Sequence, residues 1–340
     1  MKHAELIIIG SGPAGLKAGR IAQKKGLDYV ILERGDVAQA WREIRPSMPM
    51  LSPDHPQRDW TSISSEFPIW RLDVSRPYCS ADEFVYYLQE FSEHFTLNIE
   101  RNTLVKQIIK NSDHFEVLTD KGIFQAPFIY NATGFFGNPF IPRIPGLRKS
   151  KITTHSHAYK GSKPFHNDRV LVIGGGNSAA ETAIDLVGYS QVFLMTRGEL
   201  QFFSKTKNLC HIRGISESYL LELIAMELIR YIPNAQIKRV EDDLVYYNDD
   251  VLRVNAIICA TGYRATIDHL SDLNLDIDAR TKFPITAYDG ASKEFDNFYF
   301  GGPLLYRRLG SLFIHGFIKH VADTLDSIEA KLRQTNQVTV

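Results

Sequence analysis

The sequence predicts an α/β fold of two Rossmann-like dinucleotide-binding domains, with the second domain inserted into the first. Two observations predict this fold. Apolar runs at 6–9 and 170–173 are each followed by a glycine-rich turn and a stretch of helical periodicity. A further apolar run in each half then ends in Ala-Thr-Gly, at 132–134 and 260–262. Because a strand, a glycine turn and a helix N-terminus form the context of a dinucleotide-binding loop, we expect two such sites.

The first glycine turn has the sequence Gly10-Ser11-Gly12-Pro13-Ala14-Gly15. Its first glycine allows the tight turn, its second lets the backbone approach a pyrophosphate, and its third lets helix and strand pack closely. Free amides at the helix start would bind the phosphates. The next apolar run, 29–32, ends at Glu33, whose carboxylate can accept both hydroxyl hydrogens of an adenosine ribose. Since a carboxylate repels a 2′-phosphate, we expect FAD or NAD at this site.

The stretch from 35 to 80 has no regular periodicity and alternates large apolar residues with prolines and serines. A loop of this length is usually functional or disordered, and its aromatic residues argue against disorder. We expect it to cover a ligand, with a plain packing excursion as the alternative. An exposed part of this aromatic stretch would indicate a homodimer.

The elements that follow alternate between helix and strand patterns. A helix N-terminus at 80–83 leads into a helix to 95. The segments 98–110 and 114–125 are predicted strands of an antiparallel excursion, with Lys121-Gly122 as its turn. The buried strand 128–131 precedes the first Ala-Thr-Gly, whose small residues would let a cofactor come close. A proline-rich connection then leads to the second glycine turn.

The second glycine turn, Gly174-Gly175-Gly176-Asn177-Ser178-Ala179, precedes a helix to 187 and a strand at 191–196. Glu33 lies eighteen positions after Gly15, and Arg197 lies eighteen positions after Ala179. The same topological position is therefore acidic in one unit and basic in the other. An arginine there can bind a 2′-phosphate through two charge-assisted hydrogen bonds, although an ordinary surface arginine is the alternative. We expect the first unit to bind FAD and the second NADPH.

The remaining elements complete the two domains. A helix at 219–229 and short strands at 238–240 and 243–247 precede the strand that ends in the second Ala-Thr-Gly. A last strand at 298–302 and an amphipathic helix at 312–332 close the chain. We expect an FAD domain made of 1–150 and 265–340 and an NADPH domain made of 151–264, with the two Ala-Thr-Gly segments as hinges.

Composition limits the partners and the location. Among 340 residues, thirty-nine Lys and Arg balance thirty-nine Asp and Glu, so no net field favours nucleic acid or an anionic membrane. The longest apolar runs are well short of a membrane span, and the first strand leaves no room for a signal peptide. Three widely spaced cysteines fit a reducing compartment and indicate no metal cluster. We expect a cytoplasmic protein whose partners are O2 and a small-molecule substrate.

These motifs resemble the flavin-containing monooxygenases, in particular the short bacterial members, over nearly the whole chain. The resemblance rests on the two glycine turns, Glu33 and the segments Ala40-Trp41-Arg42, Ala132-Thr133-Gly134, His155-Ser156-His157-Ala158-Tyr159 and Ala260-Thr261-Gly262-Tyr263. It implies that NADPH reduces FAD, that O2 forms a C4a-hydroperoxyflavin, and that one oxygen atom passes to a soft nucleophile such as a sulfide or an amine.

The resemblance also implies residue roles. Arg197 would bind the 2′-phosphate, Asn177 and Ser178 the pyrophosphate, and His155 and Tyr159 the hinge that couples the nicotinamide to the flavin. A hydrogen-bonded hinge residue without chemistry is the alternative for His155. Flavin-side residues would be Trp41, Arg42 and Ser52, and further cofactor contacts would come from Arg34, Val105, Glu181, Thr196, Ser311 and Leu312.

Two departures from the family pattern affect the expected chemistry. Lys149-Ser150-Lys151 stands where the family signature begins with F-x-G, so the signature is half present. Leu51 stands where the family tends to carry an asparagine beside the oxygen-reactive flavin face. A leucine offers no hydrogen bond there, so we expect a short-lived oxygenating intermediate and loss of NADPH to hydrogen peroxide.

Three other functions remain open from the sequence. A disulfide reductase of the thioredoxin or bacillithiol type shares the domain plan, but the chain has no C-x-x-C and has Ala14 where the bacillithiol enzymes carry a cysteine. A flavoprotein that senses redox state without turnover would need an interaction module that the sequence does not show. A Baeyer–Villiger role is disfavoured by Tyr159, since those enzymes usually carry a tryptophan there.

Overall fold

The computed structural model describes residues 1–279, 282–305 and 312–338. The chain folds into two compact units. Met1–Arg42, Ser52–Asn138 and Arg264–Val340 form unit 1, and Glu43–Leu51 and Pro139–Tyr263 form unit 2.

The strands, in chain order, are β1 (Lys2–His3), β2 (Leu6–Ile9), β3 (Tyr29–Leu32), β4 (Asp54–His55), β5 (Arg58–Asp59), β6 (Ile99–Glu100), β7 (Val105–Lys110), β8 (Phe115–Thr119), β9 (Gly122–Ala126), β10 (Phe128–Asn131), β11 (Thr153–His155), β12 (Arg169–Ile173), β13 (Gln191–Met195), β14 (Ile229–Ile232), β15 (Ile237–Glu241), β16 (Leu244–Tyr247), β17 (Asp250–Arg253), β18 (Ala256–Cys259) and β19 (Phe298–Phe300). The α-helices are α1 (Pro13–Lys24), α2 (Gln39–Arg42), α3 (Ala81–His94), α4 (Asn177–Leu186), α5 (Phe203–Thr206), α6 (Gly214–Ala225), α7 (Ile314–Phe317) and α8 (His320–Val338). Short 3-10 helices cover Ile69–Arg71, Lys163–Phe165, Asp268–Leu273 and Gly302–Leu305.

Unit 1 is built on a parallel sheet with the order β19-β10-β2-β3-β6. All residues of β2, β3, β10 and β19 are buried, as expected for parallel strands covered on both faces. A second sheet, β1-β9-β8-β7, contributes Phe115, Val117 and Phe124 to a shared core with Ile7 and Ile129. The carboxyl ends of β2, β3 and β10 lie at one edge of the parallel sheet, which is where the first glycine turn begins.

Unit 2 repeats this plan with the parallel order β11-β18-β12-β13-β14. Helices α4 and α6 pack against one face through Ala180, Ala183, Leu220 and Leu223. The antiparallel sheet β15-β16-β17 packs on a second core that includes Phe193 of β13. The two units thus share one strand–helix–strand arrangement, and the second glycine turn follows β12 at the carboxyl edge of its sheet.

Several predicted elements have different bounds in the structure. The predicted strand 98–110 is two strands, because 99–100 joins the parallel sheet as β6 and is separate from β7. The predicted turn within 114–125 lies at residues 120–121, next to its expected position, and separates β8 from β9. The predicted helix 219–229 begins at 214 and ends at 225, since Ile229 starts β14. The helix predicted over 312–332 is two helices, α7 and α8.

The compact units differ from the predicted domains at residues 139–150, 43–51 and 264. Residues 139–150 belong to unit 2, where Val240 donates its backbone N–H to Pro145 O at 2.9 Å. A Cβ on Gly146 would lie only 1.8 Å from Val240 O, so this segment contacts β15 without an intervening side chain. Residues 43–51 also belong to unit 2, although the chain on both sides of them belongs to unit 1. No helix in the described residues is both long and apolar enough to cross a membrane.

Candidate functional site

The first glycine loop lies directly against the neighbouring strand of the sheet. Gly10 has a positive φ of 97°, and a Cβ built on it would lie 3.0 Å from the carbonyl oxygen of Ala132. A Cβ on Gly15 would lie 1.8 Å from Gly10 O, so the first turn of α1 packs on the loop with no room for a side chain. The backbone of the loop and the first Ala-Thr-Gly therefore lie side by side at the carboxyl edge.

The start of α1 fits a dinucleotide pyrophosphate. Gly12 is the N-cap residue, and no side chain caps the helix in the described structure. The space where a Gly12 Cβ would point is open, with nothing within 4 Å. Uncapped amides beside an open space form the anion site that the helix dipole favours. This arrangement fits the phosphates of a dinucleotide.

Glu33 is buried and held at the glycine loop. Its Oε2 accepts the Ser11 N–H at 2.8 Å and the Ser11 Oγ–H at 2.6 Å, and its Oε1 accepts the Gly35 N–H at 3.2 Å. Because a carboxylate has about four acceptor positions, one remains for a ligand hydroxyl. A ribose that donated both hydroxyl hydrogens to Glu33 would therefore have to displace the Ser11 hydroxyl.

The other predicted residues of unit 1 have the following contacts and positions in the chain. The ring of Trp41 packs edge-on against Phe84 and Phe136. Arg42 donates to Val37 O at 2.9 Å, and Ser52 is buried with its carbonyl accepting from Thr61. The hydroxyl of Thr133 donates to Thr266 O, and Gly134 O accepts the Thr266 N–H. Pro13 and Ala14 begin α1, Arg34 follows Glu33, Val105 begins β7, Leu312 precedes α7, and Ser311 lies outside the described residues.

Asn131 is a residue at this edge that the sequence analysis missed. It ends β10, is fully buried, and neither its amide nitrogen nor its amide oxygen has a partner among the described residues. Buried amides are almost always hydrogen-bonded, so this one fits a bound water or a ligand atom. Its position directly before Ala132 is the signal that could have identified it.

The second glycine loop repeats the geometry of the first. Gly174 has a φ of 147°, and its Cβ would lie 2.2 Å from the carbonyl oxygen of Ala260. Gly176 is the N-cap of α4, no side chain caps this helix in the described structure, and nothing lies within 4 Å of its Cβ position. The second Ala-Thr-Gly is held by the Thr261 hydroxyl donating to Phe140 O and by Gly262 O accepting the Phe140 N–H. Unit 2 therefore offers a second site for a pyrophosphate.

The equal spacing of eighteen residues does not place Glu33 and Arg197 at equivalent positions. In unit 1 Leu32 pairs with Ile9, and in unit 2 Met195 pairs with Ile173. Thr196 is therefore the residue that corresponds to Glu33, and Arg197 lies one position further from the strand. Thr196 is small and buried, whereas Arg197 is exposed and forms no ion pair within the described chain. An adenosine with a 2′-phosphate fits this pair better than the acidic site of unit 1.

The predicted pyrophosphate ligands of unit 2 differ in their surroundings. Asn177 donates its amide N–H to His211 O at 3.2 Å and accepts the Arg213 N–H at 3.0 Å. Its side chain thus holds residues 211–213 against the glycine loop. Ser178 instead lines a small cavity of mixed polar and apolar character.

Glu181 faces the same cavity and is surrounded by positive charge. Burial raises the pKa of its carboxyl group to about 7, and the neighbouring guanidinium groups of Arg45 and Arg213 oppose this shift. Both arginines are themselves buried. The sequence analysis missed them because they lie outside the glycine motifs and meet Glu181 only in the folded chain.

His155 and Tyr159 are both held by hydrogen bonds within unit 2. His155 Nε2 lies 3.0 Å from Gly262 O, and its Nδ1 accepts the His157 N–H at 3.0 Å. Burial lowers the pKa of His155 to about 4, so the ring is neutral and donates from Nε2. With both nitrogens hydrogen-bonded, His155 connects β11 to the second Ala-Thr-Gly within unit 2. The Tyr159 hydroxyl donates to Asp185, and burial raises its pKa.

The three cysteines are poor nucleophiles in this structure. Cys79 and Cys259 are buried, and burial raises the pKa of both thiols, that of Cys259 to about 12. Cys210 is exposed, but partial burial raises the pKa of its thiol as well. A cysteine that attacks a disulfide needs a lowered pKa, so the thiol chemistry of a disulfide reductase finds no support in these side chains.

Comparison with known proteins identifies the family. Residues 7–302 match the family described as pyridine nucleotide-disulphide oxidoreductase, and the chain belongs to this family. It is 26% identical over 341 residues to the uncharacterized oxidoreductase CzcO of Bacillus subtilis, covering 92% of this chain and 95% of that protein. It is 31% identical over 190 residues to the probable indole-3-pyruvate monooxygenase YUCCA4 of Arabidopsis thaliana, covering 54% of this chain and 44% of the plant protein.

Among solved structures, the bacillithiol disulfide reductase Bdr of Staphylococcus aureus has the same fold. It superposes with a TM-score of 0.87 and 22% sequence identity over 97% of this chain and 99% of that one. The predicted fold and the resemblance to flavin monooxygenases are confirmed at the level of the two-domain flavoproteins. The chain is a flavin-dependent oxidoreductase that uses a pyridine nucleotide.

The glycines of the first loop give a matched pair of variants. Gly15→Ala places a methyl group against Gly10 O and should lower the free energy of unfolding by roughly 1–3 kcal/mol. Gly12→Ala enters open space and should change stability by less than about 0.5 kcal/mol, while the flavin content of the purified protein falls. Urea unfolding of the flavin-free protein and flavin absorbance measure the two effects. Equal stability losses would contradict the packing argument.

Glu181→Gln should change the pH dependence of stability. The pKa of the Glu181 carboxyl group is about 7 in the folded protein and 4.5 for an unperturbed glutamate, as in the unfolded chain. As the pH rises, the unfolded chain therefore loses this proton at a lower pH than the folded protein does. Wild-type stability therefore falls as the pH rises from 4.5 to 7, by up to about 3 kcal/mol, and this cost stays constant above pH 7. Glu181→Gln removes it, so its free energy of unfolding relative to wild type should rise between pH 5 and pH 8.

Glu222→Gln, an exposed substitution on α6, is the control for this measurement. Its stability relative to wild type should be the same at both pH values. If Glu181→Gln also shows no change between pH 5 and pH 8, the buried carboxyl group does not titrate in the way described.

Proposed function

We propose that this protein is an FAD-dependent monooxygenase that is reduced by NADPH and transfers one atom of O2 to a soft nucleophile, a sulfide or an amine. The observation that carries the proposal is the contrast between the two nucleotide loops. One has a buried carboxylate beside it, and the other has Thr196 followed by an exposed arginine. The partial match to a plant protein named as a probable monooxygenase supports the same class of reaction.

The residues of unit 1 would bind and orient the flavin dinucleotide. The uncapped amides at the start of α1 would bind its pyrophosphate, and Glu33 would accept a hydrogen bond from its ribose. Asn131 supplies an unpartnered amide at the same edge. A bound flavin would supply the chemistry of hydride acceptance from NADPH and of reaction with O2. The chain contributes position and exclusion of water.

The residues of unit 2 would bind NADPH. The loop before α4 would hold its pyrophosphate, and Arg197 would hold its 2′-phosphate, with Thr196 leaving room for it. Glu181 lines the cavity beside this loop, where it and Ser178 would contact the nucleotide. His155 would keep the loop aligned with the second Ala-Thr-Gly through its bond to Gly262 O.

Two alternatives use the same nucleotide sites. An uncoupled NADPH oxidase is favoured by Leu51, whose side chain can donate no hydrogen bond to a reacting oxygen. An NADPH-dependent disulfide reductase agrees with the family description, but the raised thiol pKa values argue against it.

Isotopically labelled O2 separates the three functions. The holoenzyme is supplied with NADPH, labelled O2 and methyl phenyl sulfide, and the sulfoxide is analysed by mass spectrometry. A monooxygenase places the label in the sulfoxide. Hydrogen peroxide equal to the NADPH consumed, without sulfoxide, identifies an oxidase. Anaerobic NADPH consumption with bacillithiol disulfide identifies a reductase, and either of the last two results would refute the proposal.

Arg197→Gln tests the assignment of the second nucleotide. Loss of charge-assisted hydrogen bonds worth about 1.5–3 kcal/mol each should raise the KM for NADPH at least tenfold and leave the KM for NADH nearly unchanged. Steady-state kinetics with both nucleotides measure this. The control is Arg239→Gln, an exposed arginine of β15, which should alter neither KM. An unchanged KM for NADPH in Arg197→Gln would show that the arginine is an ordinary surface residue.

A further inference from the structure

A short segment of the chain leaves unit 1 and packs in unit 2. We call residues 43–51 the strap. The chain enters it from α2, which ends at Arg42, and returns to unit 1 at Ser52. The residues on both sides, Trp41-Arg42 and Ser52, are among those predicted to line the flavin. The backbone therefore joins the strap directly to residues that are predicted to line the flavin.

The first half of the strap is anchored to unit 2 by two cationic side chains. Lys160 donates its ammonium hydrogens to the carbonyl oxygens of Glu43 and Ile44, the second at 2.9 Å. Arg45 forms an ion pair with Asp185 of α4 at 3.0 Å. Lys160 lies outside the glycine loop, so its bonds anchor the strap independently of that loop.

The second half of the strap is anchored by Arg213. The guanidinium of this residue donates to Leu51 O, and its backbone N–H donates to the Asn177 side chain at 3.0 Å. Asn177 belongs to the second glycine turn and is the first residue of α4. One residue therefore contacts both the nucleotide loop and the last residue of the strap.

Charge supports this arrangement. Glu181 and Asp185 are four residues apart on α4, so they lie on one face of the helix. Glu181 interacts electrostatically with Arg45, which belongs to the strap, and with Arg213, which holds the end of the strap. Buried guanidinium groups beside a carboxylate have few alternative partners, which restricts where they can lie.

We propose that Arg213 is a positioning residue that couples occupancy of the second glycine loop to the strap. Phosphates bound at residues 174–179 would restrict Asn177, Asn177 would restrict Arg213, and Arg213 would hold the Leu51 carbonyl. The strap is then fixed when the nucleotide is bound and looser when it is absent. The role in turnover rests on the proposed function, whereas the coupling itself requires only that the second loop binds the nucleotide.

Hydrogen exchange of the flavin-loaded protein with and without NADP+ tests the coupling. In the wild type, NADP+ should slow amide exchange both in residues 174–181 and in the strap, the latter by roughly tenfold. In Arg213→Gln, residues 174–181 should keep their protection, while the effect of NADP+ on the strap falls below about twofold. Arg213→Lys, which keeps a donor to Leu51 O, should restore part of the effect.

Lys160→Gln is the matched control, since it removes strap contacts that do not involve the glycine loop. It should speed strap exchange in both states and leave the NADP+-dependent difference intact. A strap that NADP+ does not protect in the wild type would overturn the proposal. So would a strap that it protects equally in Arg213→Gln.

A kinetic readout separates coupling from a merely structural role. With methyl phenyl sulfide as substrate, Arg213→Gln should keep its KM for NADPH within about twofold while consuming several times more NADPH per sulfoxide formed. If no protein, wild type included, forms sulfoxide but the exchange pattern holds, the proposed function fails and the coupling stands. If sulfoxide forms and the exchange pattern is absent, the coupling fails alone.

Discussion

Both units depend on the close approach of a glycine loop to the strand beside it. A Cβ on the first glycine would lie 3.0 Å from Ala132 O in unit 1, a tight contact, and 2.2 Å from Ala260 O in unit 2, where it would not fit. This approach puts each loop at the carboxyl edge of a parallel sheet and points the uncapped start of a helix into open space. Anion binding follows from that geometry, because unpaired amides and the helix dipole act in the same direction.

The two units differ where they would contact the adenosine of a nucleotide. In unit 1 a buried carboxylate is fixed by Ser11 directly opposite the glycine loop. In unit 2 the strand pairing shifts by one residue, so a threonine takes that place and Arg197 follows it. An equal spacing in the sequence thus conceals a real difference in structure. The shift strengthens the distinction between the two sites, since a small residue followed by an arginine leaves space for a phosphate.

The sequence alone predicted the features that depend on residues close to one another in the chain. The buried strands, the glycine turns and the two Ala-Thr-Gly segments follow local patterns, and the fold they predict is confirmed. The strap could not be predicted, because its contacts join Leu51 to Arg213 and Arg45 to Asp185 across more than a hundred residues. The predicted end of α6, at residue 229, was wrong because apolar residues continue from the helix into β14, so the hydrophobic pattern does not mark where the helix stops. The burial of Cys79 could likewise not be predicted, since the residues around it show no hydrophobic periodicity that would assign it to a buried face.

The measurement that tests the account most directly is anaerobic mixing of the purified flavoprotein with NADPH and, separately, with NADH. The flavin absorbance is followed in a stopped-flow instrument. If unit 1 binds FAD and unit 2 binds NADPH, the bound flavin is FAD and NADPH bleaches it much faster than NADH at equal concentration. Equal rates with the two nucleotides, or a protein that binds no flavin, would contradict the assignment of the two loops.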